Sequence, residues 1–527
     1  MHWLDVVVML VYFAGLAAMA LYFKSKNTGT EEYFVGGRSF SGVIIGISLV
    51  GTAVSSITFL AYPADAFKTT WVRFTPNIML LVSVFIAAFV FLPFFMRGKI
   101  ISAYEYLGDR FGPSIRTYGA VTFIFGELVR ISIVLYLLAL LVHEITGVAP
   151  FLAIIIAGVF VSLYTVIGGI DTVIWTDVIQ VIVFVVGGLV CLGLIVWELP
   201  GGFGQIISVG VADGKLTLAE TVDGQTEPLN FGLSFHEKTV SMMLILGLLN
   251  WLKHYCANQT IIQRYVSSKN ESEARKAMFI AAFLRVPIWA FFFFLGTALY
   301  VYFKEFPTPE AMAMLNGEQK AEQILPFFII NYLPAGLSGV VLAAALAAAM
   351  SSLDSSINSI STIAVTDLYK RYFKKGADDG HYLNSAYIFA SCAGLCMVLG
   401  ATILLRTETK TVEHIAVMLA SMLTGGMLGI YLLGFLTKVG DARSVGMGIA
   451  FAIAFTIWTI LSGAGHLPST AAYPFDLYFT SLFVNFGVFI VGFLAALVFP
   501  KRPRDLTNLT VWDVPRASQA SNNQTEE

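Results

Sequence analysis

Residues 342–361 read LAAALAAAMSSLDSSINSIS, inside an apolar run, 325–369, about twice the length that one bilayer crossing needs. Ala348, Ser351, Ser352 and Ser355 recur at i, i+3, i+4 and i+7 and so share one helix face. Close packing against a neighbouring helix accounts for the alanines and serines. It does not account for Asp354, three residues after Ser351. A carboxylate in a membrane segment is costly and by default marks function. Hydroxyl and carboxylate oxygens suit a hard cation.

The rest of the chain supports a membrane reading of that run. Of 527 residues, 57% are hydrophobic and only 13% charged, with mean hydropathy +0.77. Soluble chains carry about 25% charge, so lipid must cover part of this surface. Scanning for runs of about 20 apolar residues gives thirteen spans: 3–23, 41–67, 76–96, 117–146, 150–168, 172–197, 240–262, 277–303, 325–369, 383–405, 412–436, 444–463 and 475–499. Runs 41–67 and 325–369 are too long for simple crossings and must be broken, tilted or extended beyond the bilayer. With the N-terminus outside, 21 of the 32 Lys and Arg fall in inside segments, 8 outside and 3 within spans. That asymmetry predicts an even-handed alternation with the C-terminus in the cytoplasm and an inner (plasma) membrane location. The first run lacks the basic flank and cleavage site of a signal peptide. Residues 1–500 read as one transmembrane domain and 501–527 as a disordered cytosolic tail.

Several function classes drop out. The net charge of −2 gives no reason to expect nucleic acid. Cys191, Cys256, Cys392 and Cys396 sit in apolar segments without partner ligands, which indicates neither disulfides nor zinc. No cluster with catalytic spacing suggests an enzyme, no cofactor is expected, and no second soluble domain suggests a sensor.

Residues 46–67, GISLVGTAVSSITFLAYPADAF, place glycine, β-branched residues and hydroxyls mid-span, where they weaken a helix. An unwound turn there frees carbonyls for a cation; a small-residue packing face is the plain alternative. Asp177 reads as a helix-start cap as readily as a ligand. Arg130 follows Glu127 by three residues. It either pairs with it along one helix face or faces a central cavity and binds an anion. Lys253 and His254 lie mid-span, and Arg285, two before Pro287, reads as a residue that snorkels to the cytosol.

EEYFVGGRSF at 31–40, GGIDTVIWTDVIQ at 168–180, NQTIIQRY at 258–265 and AAAMSSLDSSINSISTIAVTDLYKRY at 347–372 resemble the sodium:solute symporter family. SSITFLAYPADAF at 55–67 and KIISAYEYLGDRFG at 99–112 lean towards its sialic acid branch, and the bacterial sodium–galactose transporter is also similar. The resemblance implies an all-α integral membrane protein of LeuT type, a 5+5 inverted repeat with about thirteen transmembrane helices. The repeats would be 41–197 and 240–436, with one helix before and two after, working as a monomer in the lipid bilayer. It implies a main sodium site from Gly51, Val54, Ala348, Ser351 and Ser352, with sodium as coupling ion. A second sodium site would comprise Asp177, Ser351, Asp354 and Ser355, where Asp354 replaces a serine of the relatives and either strengthens sodium binding or, beside Asp177, takes a proton instead. Substrate positions fall at Ser55, Thr58, Asn77 and Arg130. Lys253 and His254 replace neutral side chains and Asn77 a glutamine, so the pocket is more cationic than that of its relatives. The implied function is sodium-coupled import of a small polar solute, an anionic sugar such as sialic acid, with a neutral sugar or monocarboxylate as the alternative.

Overall fold

The computed structural model describes residues 2–25, 28–55, 57–97, 100–219, 221–222, 225–226, 230–406, 425–500 and 505–512. Apart from a two-residue hairpin pairing 221–222 with 225–226, the regular structure is helical. The long helices are α1 (Trp3–Lys24), α2 (Gly42–Ala53), α3 (Thr58–Lys68), α4 (Val72–Met96), α5 (Pro113–Thr146), α6 (Pro150–Glu198), α7 (Val240–Ala257), α8 (Gln259–Val266), α9 (Glu271–Glu305), α10 (Leu337–Phe373), α11 (Asp379–Arg406), α12 (Met427–Leu436), α13 (Ala442–Gly463) and α14 (Leu477–Val498). Ten of these are long and apolar enough to cross a membrane, and α2 with α3 forms one further bent pair.

The two over-long runs are interrupted, as their length demands. Between α2 and α3 the chain bends by 69°. Val54, at the end of α2, takes an extended conformation after Gly51-Thr52-Ala53. The other run ends a short helix at Tyr332 and restarts α10 after Gly336, whose φ of +90° excludes an ordinary side chain. Spans 150–168 and 172–197 join in α6 at Gly169 (φ 59°, ψ −158°). At about 1.5 Å per residue the 49 residues of α6 far exceed one bilayer, so Gly169 separates two crossings. A Cβ at Gly169 would lie 2.7 Å from the Tyr33 ring, which fixes glycine there.

Three expectations need correcting. Span 240–262 is not one helix: Asn258, with φ −98° and ψ 110°, ends α7, and its side chain caps α8 by accepting from the Thr260 amide at 2.9 Å. Residues 505–512 of the expected disordered tail pack on the body. The Trp512 indole donates to the Leu436 carbonyl at 2.8 Å, and the Tyr106 hydroxyl donates to that of Leu509 at 2.9 Å. Residues 513–527, and 412–424 of the eleventh span, lie outside the described residues. Arg285 does not snorkel; it is 1% exposed and donates to the Leu49 carbonyl near the end of α2, where a cation meets the negative helix end.

Helix α10 is the axis of the molecule. Its membrane window is 94% buried, against 17% for α1, and it packs most extensively on α6. Gln263 of α8 ties α10 to the N-terminal segment: its amide donates to the Phe34 carbonyl and Asn358 Oδ1, both at 2.7 Å, and accepts from Ser359 at 2.9 Å. Asp367 near the end of α10 pairs with Arg116 at the start of α5. The packing of α2 on both α6 and α10 brings the end of α2, α6 and the hydroxyl-rich face of α10 together.

Candidate functional site

Where α2 ends, its last carbonyls have no amide one turn on to accept from. Ser351 of α10 faces this break. Its hydroxyl lies 2.9 Å from the Gly51 carbonyl and 3.3 Å from the Ala348 carbonyl. Val54 is buried at the same break, and Ser352 Oγ is buried without a hydrogen-bond partner among the described residues. Of the five residues expected at the main site, Gly51, Ala348 and Ser351 are brought together at this break, Val54 ends α2 there and Ser352 follows Ser351 on α10. A buried hydroxyl with no protein partner is what a cation would satisfy.

Asp177 lies eight residues past the Gly169 break and is no helix cap. Its Oδ2 accepts from the Ser48 hydroxyl at 2.6 Å and from Arg264 Nη2 at 2.8 Å. Asp177, Arg264 and Asp354 are each 0% exposed. Arg264 also donates to Ser48 Oγ at 2.9 Å, the Thr260 carbonyl at 2.8 Å and the Ser355 hydroxyl. Asp354 Oδ2 accepts from Tyr164 at 2.7 Å, and its Oδ1 lies 3.2 Å from Ser355 Oγ. Asp177 Oδ1 is buried without a hydrogen-bond partner among the described residues. Asp177, Ser351, Asp354 and Ser355 are thus linked in one buried hydrogen-bond network, with one addition: the Arg264 guanidinium stands inside it. With both carboxylates ionised, two acids and one arginine carry a single negative charge, which one monovalent cation would balance.

Sequence reasoning missed Arg264. The residue lies in the quoted NQTIIQRY motif, but hydropathy assigns it to an inside loop because α8 is short and polar. Ser48, Tyr164 and Ser356 were missed as well. Single hydroxyls on apolar helices carry no signal of what faces them.

The substrate residues divide. A cavity of about 340 Å³ is lined by Tyr104, Phe123, Glu127, Arg130, Lys253 and His254, among others. Arg130 and Lys253 thus share one wall space. Ser55, Thr58 and Asn77 do not line it. Thr58 is 2% exposed beside Phe59, which clusters with Phe184 and Phe292. Asn77 donates to the Tyr62 hydroxyl at 3.2 Å, and Tyr62 stacks on Phe293 at 4.7 Å. Trp71 and Phe74 close on the same Phe293 ring. These rings form an aromatic plug packed around Thr58 and Asn77. The two readings of Arg130 are not exclusive: it pairs with Glu127 Oε2 through Nε (3.0 Å) and Nη2 (2.7 Å) and still lines the cavity, its side chain 38% exposed.

Comparison with known proteins follows the same lines. The chain is 29% identical over 496 residues, 94% of its length and 93% of the relative's, to the sodium/sialic acid symporter of Aliivibrio fischeri. It is 29% identical to the sodium/sialic acid symporter of Proteus mirabilis, covering 93% of this chain and 94% of that one. It is 28% identical to the human sodium-coupled monocarboxylate transporter 1, covering 85% of this chain and 72% of that one. The solved structure of a substrate-bound, outward-open sodium-coupled sialic acid symporter superposes with a TM-score of 0.84 at 27% identity, covering 96% of this chain and 100% of that one. The sodium:solute symporter family model matches residues 33–442. The chain is a multi-pass helical bundle with a cavity among its helices, and it belongs to the sodium:solute symporter family.

Proposed function

We propose that this symporter imports an anionic sugar acid of the sialic acid class together with sodium. The observation that carries this reading is the wall shared by Arg130 and Lys253: two cationic side chains facing one cavity inside a membrane protein exact a cost that an anionic solute repays. The sialic acid symporters among its relatives support the same solute. Gly51, Val54, Ala348, Ser351 and Ser352 would hold one sodium, and Asp177, Ser351, Asp354 and Ser355 a second. Ser55, Thr58 and Asn77 would reach the solute once the aromatic plug moves aside, in an alternating cycle.

The energetics favour two sodium ions. Each positive charge moving inward gains about 2.3 kcal/mol per 100 mV, and a tenfold sodium gradient adds about 1.4 kcal/mol. An anion moving inward loses the electrical part, so a second sodium restores a net inward charge. In this reading the chain acts as a monomer, with inverted repeats 41–197 and 240–436, its N-terminus outside and its C-terminus in the cytoplasm.

The Glu127–Arg130 pair favours a second reading. If Glu127 neutralises Arg130 throughout the cycle, the solute is a neutral sugar. Uptake of labelled N-acetylneuraminic acid into proteoliposomes under sodium or potassium gradients, competed by sugars, sugar acids and monocarboxylates, separates the two. Sodium-only uptake blocked by acids is expected. Sodium-driven uptake blocked by neutral sugars alone would discard the anionic reading and keep the coupling.

A further inference from the structure

Glu127 holds Arg130 through the edge, Nε and Nη2, that an incoming carboxylate would grip in bidentate fashion. Glu127 has only 9% of its side chain exposed, whereas Arg130 keeps 38%. A third group joins them. Ser356 of α10 receives a hydrogen bond from Arg130 Nη2, and its own oxygen stands 2.7 Å from Glu127 Oε2 and 2.9 Å from the Ser352 carbonyl. One hydroxyl proton cannot serve both acceptors at once. Ser356 therefore has two arrangements, one turned to Glu127 and one turned back to the carbonyl of Ser352, the neighbour in sequence of Ser351, whose hydroxyl meets the Gly51 carbonyl at the α2 break.

We propose that Glu127 is a resident surrogate for the solute's carboxylate, and that Ser356 is the positioning residue that lets it go. In the empty transporter Glu127 satisfies Arg130. When an anionic solute takes the guanidinium, Glu127 is left in a largely desolvated wall and needs a donor. Ser356 supplies it by turning its proton from the Ser352 carbonyl to Glu127. The exchange links the solute anchor to the sodium-facing turn of α10 through one contiguous chain, Arg130–Glu127–Ser356–Ser352. It also keeps the empty carrier from returning with an unpaired arginine in its core. This inference rests on the anionic-solute reading.

The test is sodium-driven uptake by the full chain in proteoliposomes, with N-acetylneuraminic acid as probe. Glu127→Gln removes the competing charge while keeping the shape. KM for the anion is expected to fall roughly tenfold, the scale of one charge-assisted pair, with kcat no higher than in the unaltered protein. Ser356→Ala is expected to raise KM in the native background and to leave it unchanged in the Glu127→Gln background, while Ser356→Thr, which retains a hydroxyl, restores the native value. An unchanged or raised KM in Glu127→Gln overturns the proposal. So does a Ser356→Ala effect of equal size in both backgrounds, the mark of a merely structural role. If Glu127→Gln does not fold, the Ser356→Ala and Ser356→Thr pair decides: a loss that threonine fails to restore overturns it. Loss of the anionic-solute reading looks different, because the unaltered protein then transports neutral sugars alone, and a surrogate with nothing to exchange against falls with it.

Discussion

Arg264 is the residue on which the polar centre turns. It is fully buried and ties α8 to Asp177 of α6, to Ser355 of α10 and to Ser48 of α2. Removing one member of a buried ion pair leaves an uncompensated charge and costs roughly 3–5 kcal/mol, while replacing both partners is far milder. Arg264→Met should therefore lower the melting temperature in detergent strongly, and Asp177→Asn less, because asparagine still accepts from Ser48. The double variant Arg264→Met, Asp177→Asn should recover much of the loss. If the double variant melts as low as the sum of the single losses, the pair is not the structural unit the geometry describes. What was legible at this scale was the carboxylate chemistry. Asp354 stands out in its apolar run, because an acid there has few harmless explanations, whereas Asp177 reads equally well as a helix-start cap. Arg264 did not stand out, since its short polar helix reads as a loop, and its role depends on a break at Asn258 that no periodicity announces. Arg285 failed for the opposite reason: proximity to Pro287 suggested a path to water, whereas the Leu49 carbonyl holds it inside.

Among the elements, the breaks forced by length were readable and those made by single residues were not. Runs 41–67 and 325–369 exceed a bilayer, which left a break, a tilt or an extension as the choices, and the weak helix formers at 51–56 pointed to the break in the first. The aromatic plug was hidden, because phenylalanine spread over several helices looks like ordinary lipid-facing content. Equally hidden was the strap 213–219, which lies across the end of α3 beside that plug. Lys215 Nζ donates to the carbonyls of Phe67 (2.8 Å) and Lys68 (3.1 Å) and sits over the Tyr300 ring at 4.3 Å, while the Trp71 amide donates to the Thr217 carbonyl at 2.9 Å. The Lys304–Asp213 ion pair fastens its other end to α9. Burial pulls the Lys215 amine down to about 8, against the opposing pull of Asp213. The sign follows from proton counts: between pH 8 and the ordinary lysine value near 10.5 the docked strap binds fewer protons than the released one. Docking therefore strengthens as pH rises through that window, and below it the full burial penalty applies. Amide exchange of residues 213–219, normalised to intrinsic rates, should show protection rising from pH 7.5 to 9.5 (roughly the window the shift defines), and Lys215→Met should abolish the trend. Flat or falling protection in the unaltered protein would refute the assignment.

At the scale of the whole molecule, the distribution of charge decides how much work sodium can do. Hydropathy and basic-residue asymmetry were enough to define a multi-pass bundle, because lipid imposes those rules on every segment independently. The count of charges around the ion positions was not, since it depends on which helices meet. With both carboxylates ionised, Asp177, Asp354 and Arg264 sum to one negative charge, buried between α6, α8 and α10, and in the proposed second site that charge is balanced by one sodium. Asp354→Asn makes the cluster neutral while keeping an oxygen ligand. Sodium affinity at this position should fall by roughly tenfold, the equivalent of about 1.4 kcal/mol, and the position should still fill at high sodium. The charge carried per solute, measured as current against labelled uptake in the same liposomes, should therefore drop towards electroneutral symport of one sodium per anion when sodium is limiting, and return to the native ratio when it saturates. A native ratio at limiting sodium would show that Asp354 does not hold the coupling ion, and that its bond with Tyr164 serves the packing of α6 on α10 instead.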